Sequence, residues 1–231
     1  MQSIPLIQSE TKLSDIVIAE PTVVNVLNRF GIDLGVGDLT VGRACHKLGI
    51  DNELFVVILN TYLHESYFPE RIGPSFKATT IVNYLEQTNN SYERFQIPTI
   101  ERHFQFLISK SDPGNNNLGL MLQFFMEMKQ QLLDRIGHDR AKWFPQVLEA
   151  ERTASGLPES PLRQQGTDTD TVEDKLDDLI SMIVIHLKGD HDRYLTLAVL
   201  FALANLKKDI MQNNRIRNRL LRPMFQALSH R

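Results

Sequence analysis

A single cysteine, Cys45, in 231 residues excludes an intramolecular disulfide, a thiolate zinc site within one chain and a two-cysteine redox switch. That scarcity favours a reducing compartment. Met1 to Ser14 lacks a basic stretch followed by an apolar run. Nowhere do about 18 apolar residues follow one another, so neither a signal peptide nor a membrane span is expected. The longest apolar stretch, Tyr194 to Leu206, is too short. The expected location is the cytoplasm. An excess of charge of one sign is also missing. The formal net charge of -3 and pI near 6.2 give no global reason to expect nucleic acid, an anionic membrane or a basic substrate.

Motifs of catalysis are equally scarce. The histidines at 46, 64, 103, 138, 186, 191 and 230 form no His-x-x-x-His or His-x-x-x-Glu pair, the spacing that sets two metal ligands on one helical face. Asn115 to Asn117 follows Pro113-Gly114 as turn chemistry, without the Gly-x-x-x-x-Gly-Lys-Ser/Thr of a phosphate loop. No Gly-x-Ser-x-Gly nucleophile motif occurs. Cys45, among apolar neighbours, reads as a buried and inert thiol. Arg215, Arg217, Arg219 and Arg222, with His230 and Arg231, make a basic chain end that a helix C-terminal dipole explains without nucleic acid.

What is present is helical periodicity and no period-2 strand pattern. Leu13 to Ile18, Thr22 to Phe30, Val41 to Leu48 and Asn52 to Glu65 read as four short helices, with Thr40 and Asp51 placed as N-caps. Pro69, Gly73 and Pro74 mark Tyr67 to Ser75 as a linker. Longer stretches follow at Lys77 to Ser111 with a break near Pro98, Leu118 to Ala150, Val172 to Lys188 and Arg193 to Ser229. Four amphipathic helices bury their stripes economically as an antiparallel bundle, with Phe104, Phe124, Phe125, Trp143 and Phe144 as core aromatics. The expectation is an all-α chain of two domains: residues 1–66, and a bundle at 76–231 with a polar connection at 153–171.

Leu13-Ser-Asp-Ile-Val, Val26-Leu-Asn-Arg-Phe-Gly-Ile-Asp-Leu and Ala44-Cys-His-Lys-Leu-Gly-Ile-Asp resemble the small N-terminal domain of the di-iron iron-sulfur cluster repair proteins, also called regulators of cell morphogenesis and NO signalling. The later stretch, Thr79 to Leu228, resembles that family's hemerythrin-like bundle. In the N-terminal domain the resemblance implies a pair of adjacent cysteines, and Gly35 and Val36 stand there instead. In the bundle it implies histidine and carboxylate ligands for two irons. Asn90-Ser-Tyr-Glu-Arg-Phe-Gln-Ile-Pro98 puts Asn90 at the first ligand position. The stretch before Phe144-Pro145 puts Arg135 and Asp139 at the second helix's pair, and the stretch before Pro223 puts Asn213 and Arg217 at the fourth helix's pair. The third-helix ligand position matches Glu173.

None of the six is a histidine, and two are arginines, which stay charged and repel a divalent metal. The substituted set sums to zero charge and reads as a polar network filling the place of a dismantled site. Breaking one member of a dry network of that kind costs roughly 3–5 kcal/mol. What the resemblance then implies is a non-catalytic, metal-free relative without a cofactor that works through an unidentified protein partner, including a homodimer through its N-terminal domain. The alternative is a metal-binding protein of cluster repair or nitric-oxide stress, with Asp139, Glu173 and a histidine as substitute ligands of a di-iron centre. A small-ligand sensor with a vacated bundle centre is a third reading.

Overall fold

The structure, a computed structural model, describes residues 4–69, 75–112, 116–154 and 171–229. Gly73 and Pro74 of the expected linker, the turn at Pro113 to Asn115, residues 155–170 of the polar connection, and His230 and Arg231 lie outside the described residues. The described residues are all-helical, with one isolated antiparallel bridge between Lys12 and Thr40. Among them no helix is long and apolar enough to cross a membrane.

The helices are α1 (Leu13–Ala19), α2 (Val24–Arg29), α3 (Val41–Leu48), α4 (Asn52–Leu63), α5 (Ala78–Ser91), α6 (Ile97–Lys110), α7 (Asn116–His138), α8 (Phe144–Thr153), α9 (Thr171–Ser181), α10 (Arg193–Ile216) and α11 (Arg222–Ser229). They fall into two compact units. One comprises Met1–Gln87, Phe144–Thr167 and Gln212–Arg231, and the other Thr88–Trp143 and Asp168–Met211. The first unit thus takes in residues from both sides of the expected junction at 66–76.

In the first unit the early helices start where local chemistry directs. The Thr40 hydroxyl accepts from the Arg43 N–H at 3.4 Å and the Asp51 carboxylate from the Leu54 N–H at 2.8 Å, satisfying donors that the first helical turn leaves open. Pro21 opens a short 3-10 turn, Pro21–Val23, that leads into α2; its fixed φ suits the first helical position. α4 is apolar almost all round and is buried from Leu54 to Tyr62 apart from a half-buried Val56, as a central helix must be. The loops before α1 and α3 pair through Leu13 N–H to Leu39 O at 2.9 Å and Val41 N–H to Thr11 O at 3.0 Å. At Gly42, beside them, a Cβ would stand 2.3 Å from the Ser9 hydroxyl and 3.3 Å from the Ser9 carbonyl oxygen, so a side chain there would displace that hydroxyl. α8 packs on α11, and its Glu151 carboxylate accepts from the backbone N–H groups of Ala78 and Thr79 at the start of α5, where a negative charge complements the helix dipole.

In the second unit apolar residues from four helical stretches share one core. It runs through Tyr92, Ile100 and Phe104; Met121, Phe125 and Leu132; Leu176 and Leu179; and Leu203, Leu206 and Ile210. Phe104 and Phe125 meet with ring centroids 5.5 Å apart. An ion pair between Lys207 and Asp177 joins α10 to α9, and one of 2.7 Å between Lys129 and Glu101 joins α7 to α6.

The expected break near Pro98 is absent. A π turn, Tyr92–Gln96, carries the chain from α5 directly into α6. Two more π turns, Asp139–Trp143 and Arg217–Leu221, lie before Pro145 and Pro223. One physical cause serves all three. Proline has no N–H, and its ring collides with the carbonyl four residues back, so the preceding turn widens by one residue. The N–H groups of Ile97 and Arg222, each just before its proline, bond five residues back to Tyr92 O and Arg217 O. A fourth π turn, Met182–His186, ends the α9 stretch without a proline, and nothing in its sequence explains it.

Candidate functional site

The two ligand-like pairs of the resemblance each lie one helical turn apart. Arg135 and Asp139 stand at the junction of α7 with its π turn, and Asn213 and Arg217 at the end of α10 with the next. Asp139 and Arg217 each open a π turn, a local widening that recurs at functional sites. Asp139 and Asn213 are buried, whereas Asn90, Arg135, Glu173 and Arg217 are half-buried. Glu173 lies in the first turn of α9.

In the second unit Asn90 is engaged by a cation that the sequence reading did not single out. Arg140 Nη2 donates to Asn90 Oδ1 at 3.0 Å, while its Nη1 donates to both oxygens of Glu93, at 3.0 and 2.7 Å. The guanidinium fork thereby ties the π turn after α7 to the one after α5, a planar geometry that a lysine does not reproduce. Nearby chemistry of the same sort joins Gln96 Nε2 to Asp209 Oδ2 at 3.3 Å.

In the first unit Asn213 is held by residues of the N-terminal helices. Tyr84 donates its hydroxyl to Asn213 Oδ1 at 2.7 Å, and Arg29 Nη1 donates to Tyr84 Oη at 3.2 Å and to Asn213 Oδ1 at 3.4 Å. All three are buried. The Phe30 ring stacks on Tyr84 at 5.3 Å between centroids, and the Arg29 guanidinium lies 5.6 Å from the Tyr84 ring centre. The sequence reading used Arg29 and Phe30 only as part of the resemblance, and Tyr84 not at all. In the sequence Tyr84 sits among the apolar residues Ile81, Val82 and Leu85 of α5, so it reads as an ordinary core aromatic. Further along, Arg219 Nη1 donates to the carbonyls of Glu65 and Tyr67, both at 2.6 Å.

Gly35 and Val36 lie in the loop between α2 and α3, with Gly35 at a φ of +93° and exposed. A side chain there is strained whatever the space, so this loop conformation disfavours a cysteine at the first of the two positions. Cys45 is buried, and burial foremost, then the charge of Asp51, pushes its thiol up to about 11. A thiol so placed is a poor nucleophile at neutral pH.

The residues present do not fit a di-iron centre. An arginine occupies one position in each ligand-like pair, and Asn90 accepts from another arginine; fixed cations raise the cost of placing a divalent metal beside them. Among the described residues no three histidine, cysteine, aspartate or glutamate side chains converge in a way that could hold a metal ion. No family model matches the chain, and no curated protein matches it.

Proposed function

We propose that this chain is a metal-free, non-catalytic relative of the iron-sulfur cluster repair proteins, with a hemerythrin-like four-helix bundle, acting in the cytoplasm as a regulatory or protein-interaction module. The observation that carries this reading is the engagement of the ligand-like amides by arginines: Asn90 by Arg140, itself clamped on Glu93, and Asn213 by Arg29 through and beside Tyr84. In a di-iron bundle those positions present imidazoles and carboxylates toward the metals. Here they serve as hydrogen-bond acceptors for protein cations. Within each unit such side-chain bonds tie helical stretches together where a di-iron bundle would use metal bonds.

The test is metal content, together with the near-ultraviolet and visible spectrum, of protein expressed with added iron under low oxygen. The expected result is less than stoichiometric iron and no oxo-bridge absorption. About two irons per chain would refute the reading and return the protein to di-iron chemistry.

A further inference from the structure

Residues 4–8 precede the backbone bonds through which Ser9, Thr11 and Leu13 hold the loop before α3. They are tied instead to two side chains at the end of α4, Asn60 in its last turn and His64 just beyond it. Asn60 accepts from the Ile7 N–H at 2.8 Å and donates to the Ile7 carbonyl at 2.9 Å, and the Ile7 side chain is buried. His64 bonds to the backbone of Pro5. All four residues belong to the first unit.

The bond to Pro5 fixes the tautomer of the ring. Proline has no N–H, so Pro5 accepts through its carbonyl and the imidazole nitrogen that meets it carries the proton. Nε2 is buried and has no hydrogen-bond partner. The donor is therefore Nδ1, and Nε2 holds a bare lone pair. A proton added there meets no acceptor, is shut off from water and stands in the field of the Arg215 guanidinium at the end of α10. The neighbouring charges turn elsewhere. Arg219 donates to the carbonyls of Glu65 and Tyr67. Glu65 is exposed, as are Arg43, His46 and Lys47 on α3, which packs on α4. The Pro21–Val23 turn, also packed on α4, has no titratable side chain.

We propose that His64 is an acid-operated latch: protonation at Nε2 frees residues 4–8 from α4 while the helices stay folded. Release uncovers the seat of Ile7 and both hydrogen-bonding groups of the Asn60 amide, and it lets the charged ring reach water. The closed form binds the proton less well than the open one, so closure holds at neutral pH and weakens as pH falls. With one proton taken up on opening, the open fraction rises by up to about tenfold per pH unit below the ordinary imidazole value of about 6.5.

Nitrogen NMR and amide hydrogen exchange on the full chain test this. At about pH 7.5 the His64 ring is expected to show a protonated Nδ1 and a bare Nε2. From about pH 6.5 to about pH 5, protection of the Ile7 amide, corrected for intrinsic exchange, is expected to drop by up to about tenfold per unit. Ile58 and Leu59 within α4 are expected to stay better protected than Ile7 throughout. His64→Gln, whose side chain does not titrate, is expected to remove the pH-dependent drop. A ring protonated at Nε2 at neutral pH overturns the proposal. So does Ile7 protection that is flat with pH, that falls equally in His64→Gln, or that matches Ile58 and Leu59, since the segment then opens only with its whole unit. Should His64→Gln fail to fold, the ring and amide readings of the unaltered chain decide the matter.

Discussion

Tyr84→Phe removes one oxygen atom and keeps the ring that stacks on Phe30 and lies beside Arg29, so its effect reports the hydroxyl alone. That hydroxyl donates to Asn213 Oδ1 at 2.7 Å and accepts from Arg29 Nη1 at 3.2 Å. A neutral buried hydrogen bond contributes about 1 kcal/mol net, and one from a charged donor about 1.5–3 kcal/mol. Asn213 Oδ1 retains the longer bond from Arg29 at 3.4 Å, which recovers part of the loss. The expected cost is therefore about 2 kcal/mol. Urea unfolding should show a lower midpoint at unchanged slope, and the thermal midpoint should fall by about 4–8 °C for a chain of this size. A double-mutant cycle with Asn213→Ala should give a coupling of at least about 0.5 kcal/mol, as for residues in one network. A loss under about 0.5 kcal/mol, or strict additivity with Asn213→Ala, would show that the three buried groups do not act together.

Asn60 bonds Ile7 in both directions, accepting from its N–H at 2.8 Å and donating to its carbonyl at 2.9 Å. Asn60→Ala should cost about 2–4 kcal/mol, and should speed proteolytic removal of the segment before α1. Cys45, with its thiol raised to about 11 by burial and by Asp51, holds its proton more tightly folded than unfolded. Its stabilising contribution is full below the ordinary thiol range and declines as pH rises toward 11. At pH 8 it should react slowly with a thiol reagent in the native protein and fast in denaturant. His64 is held below the ordinary imidazole range, first by burial and then by the Arg215 charge, against a bond to the Pro5 backbone that raises it. Folding therefore disfavours its protonation, so stability present above about pH 6.5 is lost as pH falls through the folded value. His64→Gln should flatten that acid slope in unfolding measured between about pH 6.5 and 5.

Local features of the fold were legible in the sequence. The N-caps Thr40 and Asp51 act as their spacing implied, and α3 spans the expected Val41–Leu48. The proline near residue 98 was read as a break because its missing donor interrupts a regular ladder. The helix instead absorbs it by widening one turn, and that outcome depends on the packing of residues on both sides, such as Tyr92 and Ile100. The polar contacts were not legible for a different reason. Arg140 and Asn90 are 50 positions apart, and Arg29 and Asn213 are 184 apart; no periodicity links residues so far separated. Only the resemblance singled out Asn90 and Asn213. Which cation each would meet was a matter of tertiary structure.

The Arg219 guanidinium closes on the carbonyls of Glu65 and Tyr67, just beyond α4, from a position near the end of the chain. Together with Asn213 against Arg29, this sets an order of assembly on the ribosome. Residues 88–143 and 168–211 of the second unit have all been synthesised while the first unit still lacks its last segment, 212–231. A nascent chain ordinarily folds its N-terminal part first. Here Arg29 stays unmet by Asn213, and the end of α4 unclamped, until residues 213 and 219 have been synthesised. A chain stopped early at residue 211 should therefore carry a finished second core and an N-terminal region open to chaperones and proteases.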